Sequence, residues 1–307
     1  MITLKKLIVA GVIIFLLPWS DRIAAQTPPD DPPPGVLIDI GGHKLHIKCV
    51  GKPGRTPTVV FEAGMGGFSS AWTDVQDILA PRARTCAYDR SGLGWSEQGP
   101  RPQTMHQVAF ELHALLQAAK EPGPFVLVSH SIGGLMARVY LEMFDSDVAG
   151  MVLVDPTPES YEFFRQNEGR WVRIREMATG RTIPEPRLDS DIVDTAGAAN
   201  NFMYMAEEFQ QLYLARKTNP QPLGTRPLIV LAAGQWSVPP GTADDLSDQL
   251  RIERDGQKID LTRLSQNAKF ILDPASSHTM QADNPRLVAR AVEEVLAAVA
   301  TGRPLEP

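Results

Sequence analysis

Pro124-Phe-Val-Leu-Val-Ser-His-Ser-Ile-Gly-Gly134 is an apolar run, then a serine between small residues, then paired glycines. The pattern predicts a buried strand that turns sharply into a helix, a nucleophile elbow that lifts Ser131 Oγ clear of the backbone. A serine in an ordinary loop is a poor nucleophile. On such a turn its hydroxyl can face a histidine on one side and backbone N–H groups on the other. Ser129 and Gly133 stand where the tight turn brings residues together and a large side chain would clash. The usual spacing is Gly-x-Ser-x-Gly; here the first glycine is Ser129, which is small enough to fit.

Further strands flank this element. Upstream, Pro57-Thr-Val-Val-Phe-Glu-Ala-Gly-Met-Gly-Gly67 reads as a strand entering a glycine-rich turn. Arg84-Thr-Cys-Ala-Tyr-Asp-Arg-Ser-Gly-Leu-Gly-Trp-Ser96 reads as another strand ending in a glycine-punctuated loop, and Lys269-Phe-Ile-Leu-Asp-Pro-Ala-Ser-Ser-His278 places a histidine just past a final strand. Val36–Ile40 and Lys44–Val50 form a predicted hairpin, and Met151–Asp155 and Leu228–Ala233 are apolar runs expected of strands buried on both faces. Helical patterns lie between them: Trp72, Val75 and Leu79 at helical spacing, a capping box at Thr104 and Gln107, and an Asn284-Pro285 start followed by a Leu287 to Val299 stripe. This alternation predicts an α/β fold, a mostly parallel sheet with helices on both sides. Residues 156–225 break the rhythm. Rich in Phe, Tyr, Trp and Met (Tyr161, Phe163, Phe164, Trp171, Phe202, Phe209), they are expected to be helices without strands.

These segments, in the order Ser131, acid, His278, resemble the α/β-hydrolase superfamily over roughly residues 36–300, and the Tyr88–Ser96 and Glu62–Gly67 motifs resemble its serine esterase/lipase-like branch. The resemblance implies an eight-stranded sheet, with the core at 36–155 and 226–307 and a helical cap at 156–225. It also implies that the second and fourth strands are neighbours, so Cys49 and Cys86 can form a disulfide; two small buried residues that never meet are the alternative.

The chain of 307 residues is 43% hydrophobic with a formal net charge of −6. An acidic balance argues against nucleic acid as a partner, because phosphate binding needs a clustered basic surface. Lys5-Lys6, the apolar Leu7–Trp19 and the small residues before Gln26 read as a signal peptide over 1–25, followed by a proline-rich linker over 26–35. A membrane anchor is the alternative, but a spanning helix wants about 20 apolar residues. The expected location is periplasmic or secreted, with membrane contact only if the N-terminal segment is uncleaved.

The chemistry expected is serine-based hydrolysis. Ser131 would attack a carbonyl and His278 would carry the proton. By resemblance, the N–H groups of Met65 and Ile132 would form the oxyanion hole. His43, His46, His106 and His113 are weaker candidates, and His130, beside the nucleophile, is expected to point away. No metal site and no cofactor are expected, since no histidine spacing makes a ligand set. The acid is the open member. Gly234–Pro240, where relatives usually place it, contains no carboxylate; Asp155 at the end of the sixth strand is preferred, with Asp244 and Asp245 as alternatives. The expected substrate is a small apolar carboxylic ester, with an amide, peptide or lactone as alternatives. A non-catalytic binding protein on the same fold is the remaining reading, whereas an aspartate-nucleophile hydrolase is excluded by Ser131.

Overall fold

The computed structural model describes residues 32–54, 56–160, 162–167, 170–176, 181–182, 205–235 and 244–306. Residues 1–25, expected to be a signal peptide, and residues 26–31 of the expected linker lie outside them. No helix among the described residues is long and apolar enough to cross a membrane.

Eight strands form one sheet: β1 (Val36–Asp39), β2 (Lys44–Val50), β3 (Thr58–Glu62), β4 (Thr85–Tyr88), β5 (Phe125–His130), β6 (Val148–Val154), then β10 (Leu228–Ala233) and β11 (Ala268–Asp273). Their spatial order is β1-β2-β4-β3-β5-β6-β10-β11, antiparallel for β1-β2 and β2-β4 and parallel beyond. The parallel strands are continuous apolar runs because each buries both faces. Leu127, Met151, Leu153, Leu228 and Val230 point into one cluster, packed under α2 (Met105–Ala118) and α3 (Gly133–Met143). Val126, Val128, Val152, Val154, Ile229 and Leu231 point into the other, packed under α1 (Thr73–Leu79) and the long C-terminal helix Pro285–Thr301. The local signals act as anticipated. Thr104 accepts from Gln107 N to open α2, and Asn284 accepts from Leu287 N to open the C-terminal helix.

The connections reverse direction between β3 and β5: β4 lies to one side of β3 and β5 to the other. The carboxyl ends of strands at such a reversal leave a crevice that no crossover covers, the place where open α/β sheets bind ligands. The Ala63-Gly64 turn leaves β3 there and the Ser131 elbow leaves β5.

Residues 156–225 depart from the all-helical expectation. They hold a small antiparallel sheet of β7 (Glu162–Asn167), β8 (Arg170–Glu176) and β9 (Arg181–Thr182), and then α4 (Met205–Thr218). The sequence signal is the alternation in Arg170-Trp-Val-Arg-Ile-Arg-Glu176, where aromatic and β-branched residues favour strand. Tyr161, Met177 and Phe202 lie outside the described residues. α4 is docked by charge: Arg216 pairs at 2.6 Å with buried Glu159, which also accepts from Arg138 at 2.6 Å. Glu208 accepts from Met105 N at the start of α2.

Cys49 on β2 stands opposite Cys86 on β4, and the two are disulfide-bonded across a sequence separation of 37 residues. Cross-linking a loop of this length restricts the unfolded chain and contributes about 3–4 kcal/mol. Reduction, or the Cys49→Ala/Cys86→Ala double substitution, is expected to lower the thermal midpoint by roughly 5–10 °C. Differential scanning calorimetry with and without reductant checks this; an unchanged midpoint would contradict it.

Candidate active site

Ser131 adopts φ +55°, a left-handed conformation in which an L side chain is strained. Its N–H donates to Val154 O at 3.1 Å, and its carbonyl accepts from Gly134 N at 3.0 Å and Thr157 N at 3.1 Å. The elbow is therefore tied on both sides. Gly133 is needed there because a Cβ would stand 2.6 Å from Ala63 O. Gly64 is needed for the same approach from the other side: a Cβ would stand 2.7 Å from His130 Nδ1 and 3.2 Å from Ser131 Cβ. The glycine turn of Met65 thus abuts the elbow, and Ile132 takes the N-cap of α3, whose N-terminal N–H groups favour negative charge. Ser131 Oγ lies 3.5 Å from Thr157 Oγ1.

The turn after β3 is held by a residue from the loop after β4. Buried Arg90 donates to Ala63 O at 2.6 Å and to Gly64 O at 2.5 Å, and it also pairs with Glu62. Tyr88 donates to the other Glu62 oxygen. A guanidinium supplies several donors in a fixed plane, so one side chain can orient two successive carbonyls and with them the peptide leading to Met65.

Asp155 follows β6 with φ +39°, the second non-glycine residue of the site in the left-handed region. Its N–H donates to Leu231 O at 2.8 Å. Oδ2 lies 2.6 Å from His278 Nδ1, while Oδ1 accepts from Ala233 N at 2.8 Å and faces Arg254 Nη2 at 3.4 Å and Lys258 Nζ. Both cations come from α5 (Asp244–Asp260), where spacing of four residues puts them on one helix face. Burial alone would raise the Asp155 carboxyl; Lys258, His278 and Arg254 together hold it well below the usual carboxylate range. Asp244 and Asp245 open α5, and their side chains lie outside the described residues.

The His278 loop is anchored at β11. Asp273 accepts from Ser276 Oγ at 2.6 Å and from Asn284 Nδ2 at 3.0 Å, so the residue that caps the last helix also braces the loop. Gly234 lets β10 approach it, since a Cβ would stand 2.4 Å from Pro274 Cα.

His130 does not point away from the site. Its Nε2–H donates to His278 O at 2.8 Å, its Nδ1 accepts from Gln281 at 3.4 Å, and its ring centroid is 4.6 Å from that of His278. A residue inside the β5 run reaches the site because the strand ends at His130, one residue before the elbow. Burial and the adjacent His278 push His130 down to about 3, so it stays neutral. Of the other weak candidates, His43 bonds Ser91 at 2.8 Å, His46 pairs with Asp89 at 3.0 Å and His113 contacts Asp147 at 3.0 Å, while His106 is exposed. Among the described residues the one group with metal-ligand spacing is Cys49, Cys86 and Glu121, whose sulfurs are joined and whose carboxylate binds Arg84 at 2.5 Å.

The family model for the alpha/beta hydrolase fold matches residues 57–188. A probable transporter of Hormonema carpetanum is 36% identical over 130 residues, and the match spans 40% of this chain but 18% of that protein. The YqjL protein of Bacillus subtilis is 27% identical over 240 residues, 78% of this chain and 83% of its own. A solved thermophilic esterase from Thermogutta terrifontis superposes with a TM-score of 0.56 at 19% identity, covering 86% of this chain and 98% of its own.

The titration of His130 has a defined sign. In the unfolded chain it binds a proton near pH 6.5 and in the native protein only near 3. The unfolded state therefore holds more protons in between, and stability falls as the pH falls. From pH 6.5 to 5 the loss due to His130 alone is expected to be at most about 2 kcal/mol. His130→Gln should flatten this slope in urea titrations; a variant with the wild-type slope would contradict the assignment.

Proposed function

We propose that the chain, whose residues 57–188 match the alpha/beta hydrolase fold model, is an exported serine hydrolase of that superfamily that cleaves carboxylic esters through an acyl-enzyme on Ser131. The observation that carries the reading is the 2.6 Å contact between His278 Nδ1 and Asp155 Oδ2, joined to the Ser131 turn through its neighbour His130, which donates to His278 O, with Ser131 itself at positive φ. Ser131 Oγ attacks the carbonyl while His278 Nε2 takes its proton. Asp155 fixes the tautomer that leaves Nε2 available and stabilises the imidazolium that forms. The N–H groups of Met65 and Ile132 receive the negative charge that develops on the carbonyl oxygen, with Arg90 holding the Met65 turn. His278 then protonates the departing alcohol, and water enters by the same route to release the acid. The steps close without a metal or organic cofactor.

Export is supported by the basic and apolar N-terminal segment and by the Cys49–Cys86 disulfide, which persists in an oxidising compartment. The aromatic and methionine content of residues 156–225 favours an apolar acyl or alcohol group.

The test is hydrolysis of p-nitrophenyl esters of graded acyl length by the wild type and Ser131→Ala. The wild type is expected to prefer medium or long acyl chains, and Ser131→Ala to lose at least about 10⁴-fold in kcat/KM. Equal rates for the two proteins would contradict the serine mechanism. Turnover confined to amides or lactones would move the substrate class and leave the mechanism standing.

A further inference from the structure

We propose that Lys258 is a positioning residue of the triad, one that acts through Asp155 to set the pH at which His278 serves as base. The inference rests on the serine-hydrolase reading and extends it to a residue with no contact to the reacting atoms.

The geometry divides the Asp155 carboxylate. Oδ2 faces His278, and Oδ1 faces Lys258, Arg254 and Ala233 N. The two oxygens share one delocalised charge, so cations gathered on Oδ1 draw negative density away from Oδ2. Lys258 is almost wholly buried, with 5% of its side chain exposed. Solvent therefore screens the pair little, and an ammonium taken out of water persists only beside a compensating charge. A packing role alone would not need an ammonium on a carboxylate that touches the histidine.

Among the described residues the charged and titratable groups around Lys258 are Asp155 at the end of β6, Arg254 and Asp255 on its own helix, and His278 and His130 beyond the carboxylate. Arg254 is engaged with Ala233 O at 2.5 Å and with Asp255 at 3.4 Å, which makes it the weaker partner of Oδ1. Burial pushes the Lys258 ammonium down to about 8, with Asp155 opposing the fall, so it is charged at neutral pH. While charged, it offsets part of the field that Asp155 imposes on His278. Removing it leaves the full carboxylate charge facing the imidazole, which favours the protonated and catalytically idle form. Activity should then be lost at a higher pH on the acid side.

The probe is an alkyl fluorophosphonate, whose reaction does not depend on the natural substrate. Ser131 Oγ forms a bond to phosphorus, fluoride leaves, and His278 accepts the serine proton. The labelling rate is followed by intact-protein mass from pH 4.5 to 8. In Lys258→Met the acid limb is expected to move up by about one pH unit relative to wild type. Lys258→Arg, which restores the charge, should bring it back. An acid limb for Lys258→Met that superimposes on wild type would overturn the proposal, even if the variant melts earlier. Should Lys258→Met fail to fold, Arg254→Gln carries the test, with a smaller shift in the same direction expected and no shift counting against the proposal. A wild type that takes no label at Ser131 would instead overturn the serine-hydrolase reading, a separate result.

Discussion

The site is organised around one buried carboxylate. Asp155 is 2% exposed, and a charge so placed costs several kcal/mol unless it is compensated. Compensation comes from four groups on three elements: the Ala233 N–H on β10, the two cations of α5, and His278 on the loop after β11. Each partner is fixed by its own element, so satisfying the charge also fixes how these elements sit at one edge of the sheet. Left-handed φ angles at both Asp155 and Ser131 place backbone strain on two residues of the candidate site.

A second buried carboxylate, Glu62, does the same for the other side of the site. With Arg90 and Tyr88 it links the end of β3 to the loop after β4, and the same guanidinium holds the carbonyls of Ala63 and Gly64. The two clusters flank the elbow, one toward the turn of Met65 and one toward His278. Between them the backbone approaches closely, and only glycine at positions 64 and 133 permits it. A third buried cluster, Arg138–Glu159–Arg216, fastens α4 to the core.

Much of this was legible in the sequence because the signals are local. Strands buried on both faces read as apolar runs, Thr104 and Asn284 mark helix starts, and the Ser131 turn carries its own pattern of small residues. Asp155 could be singled out because it ends such a run in a chain with no carboxylate at Gly234–Pro240. Lys258 and Arg254 could not. They stand in a helix dense with Asp, Glu, Arg and Lys, where a charged residue four positions from another reads as a solvated face. Only the packing of α5 against the ends of β6 and β10 turns that face inward. His130 was misjudged because alternation along a strand says which face a side chain takes, not what the next loop brings against it. The β7–β8 pair was missed because aromatic residues suit a helical core as well as a strand, and the alternation at Arg170–Glu176 had the better claim.

The central claim is that the triad acid stands at the end of β6. Its most direct test is steady-state ester hydrolysis by Asp155→Asn beside the Asp244→Asn/Asp245→Asn double variant, with folding checked for both by thermal melts. An asparagine at 155 keeps the shape but cannot hold the histidine tautomer, and kcat is expected to fall by about 10⁴-fold. The double variant is expected to stay within about two-fold of wild type. Full activity in Asp155→Asn, with the collapse appearing in the double variant, would contradict the account.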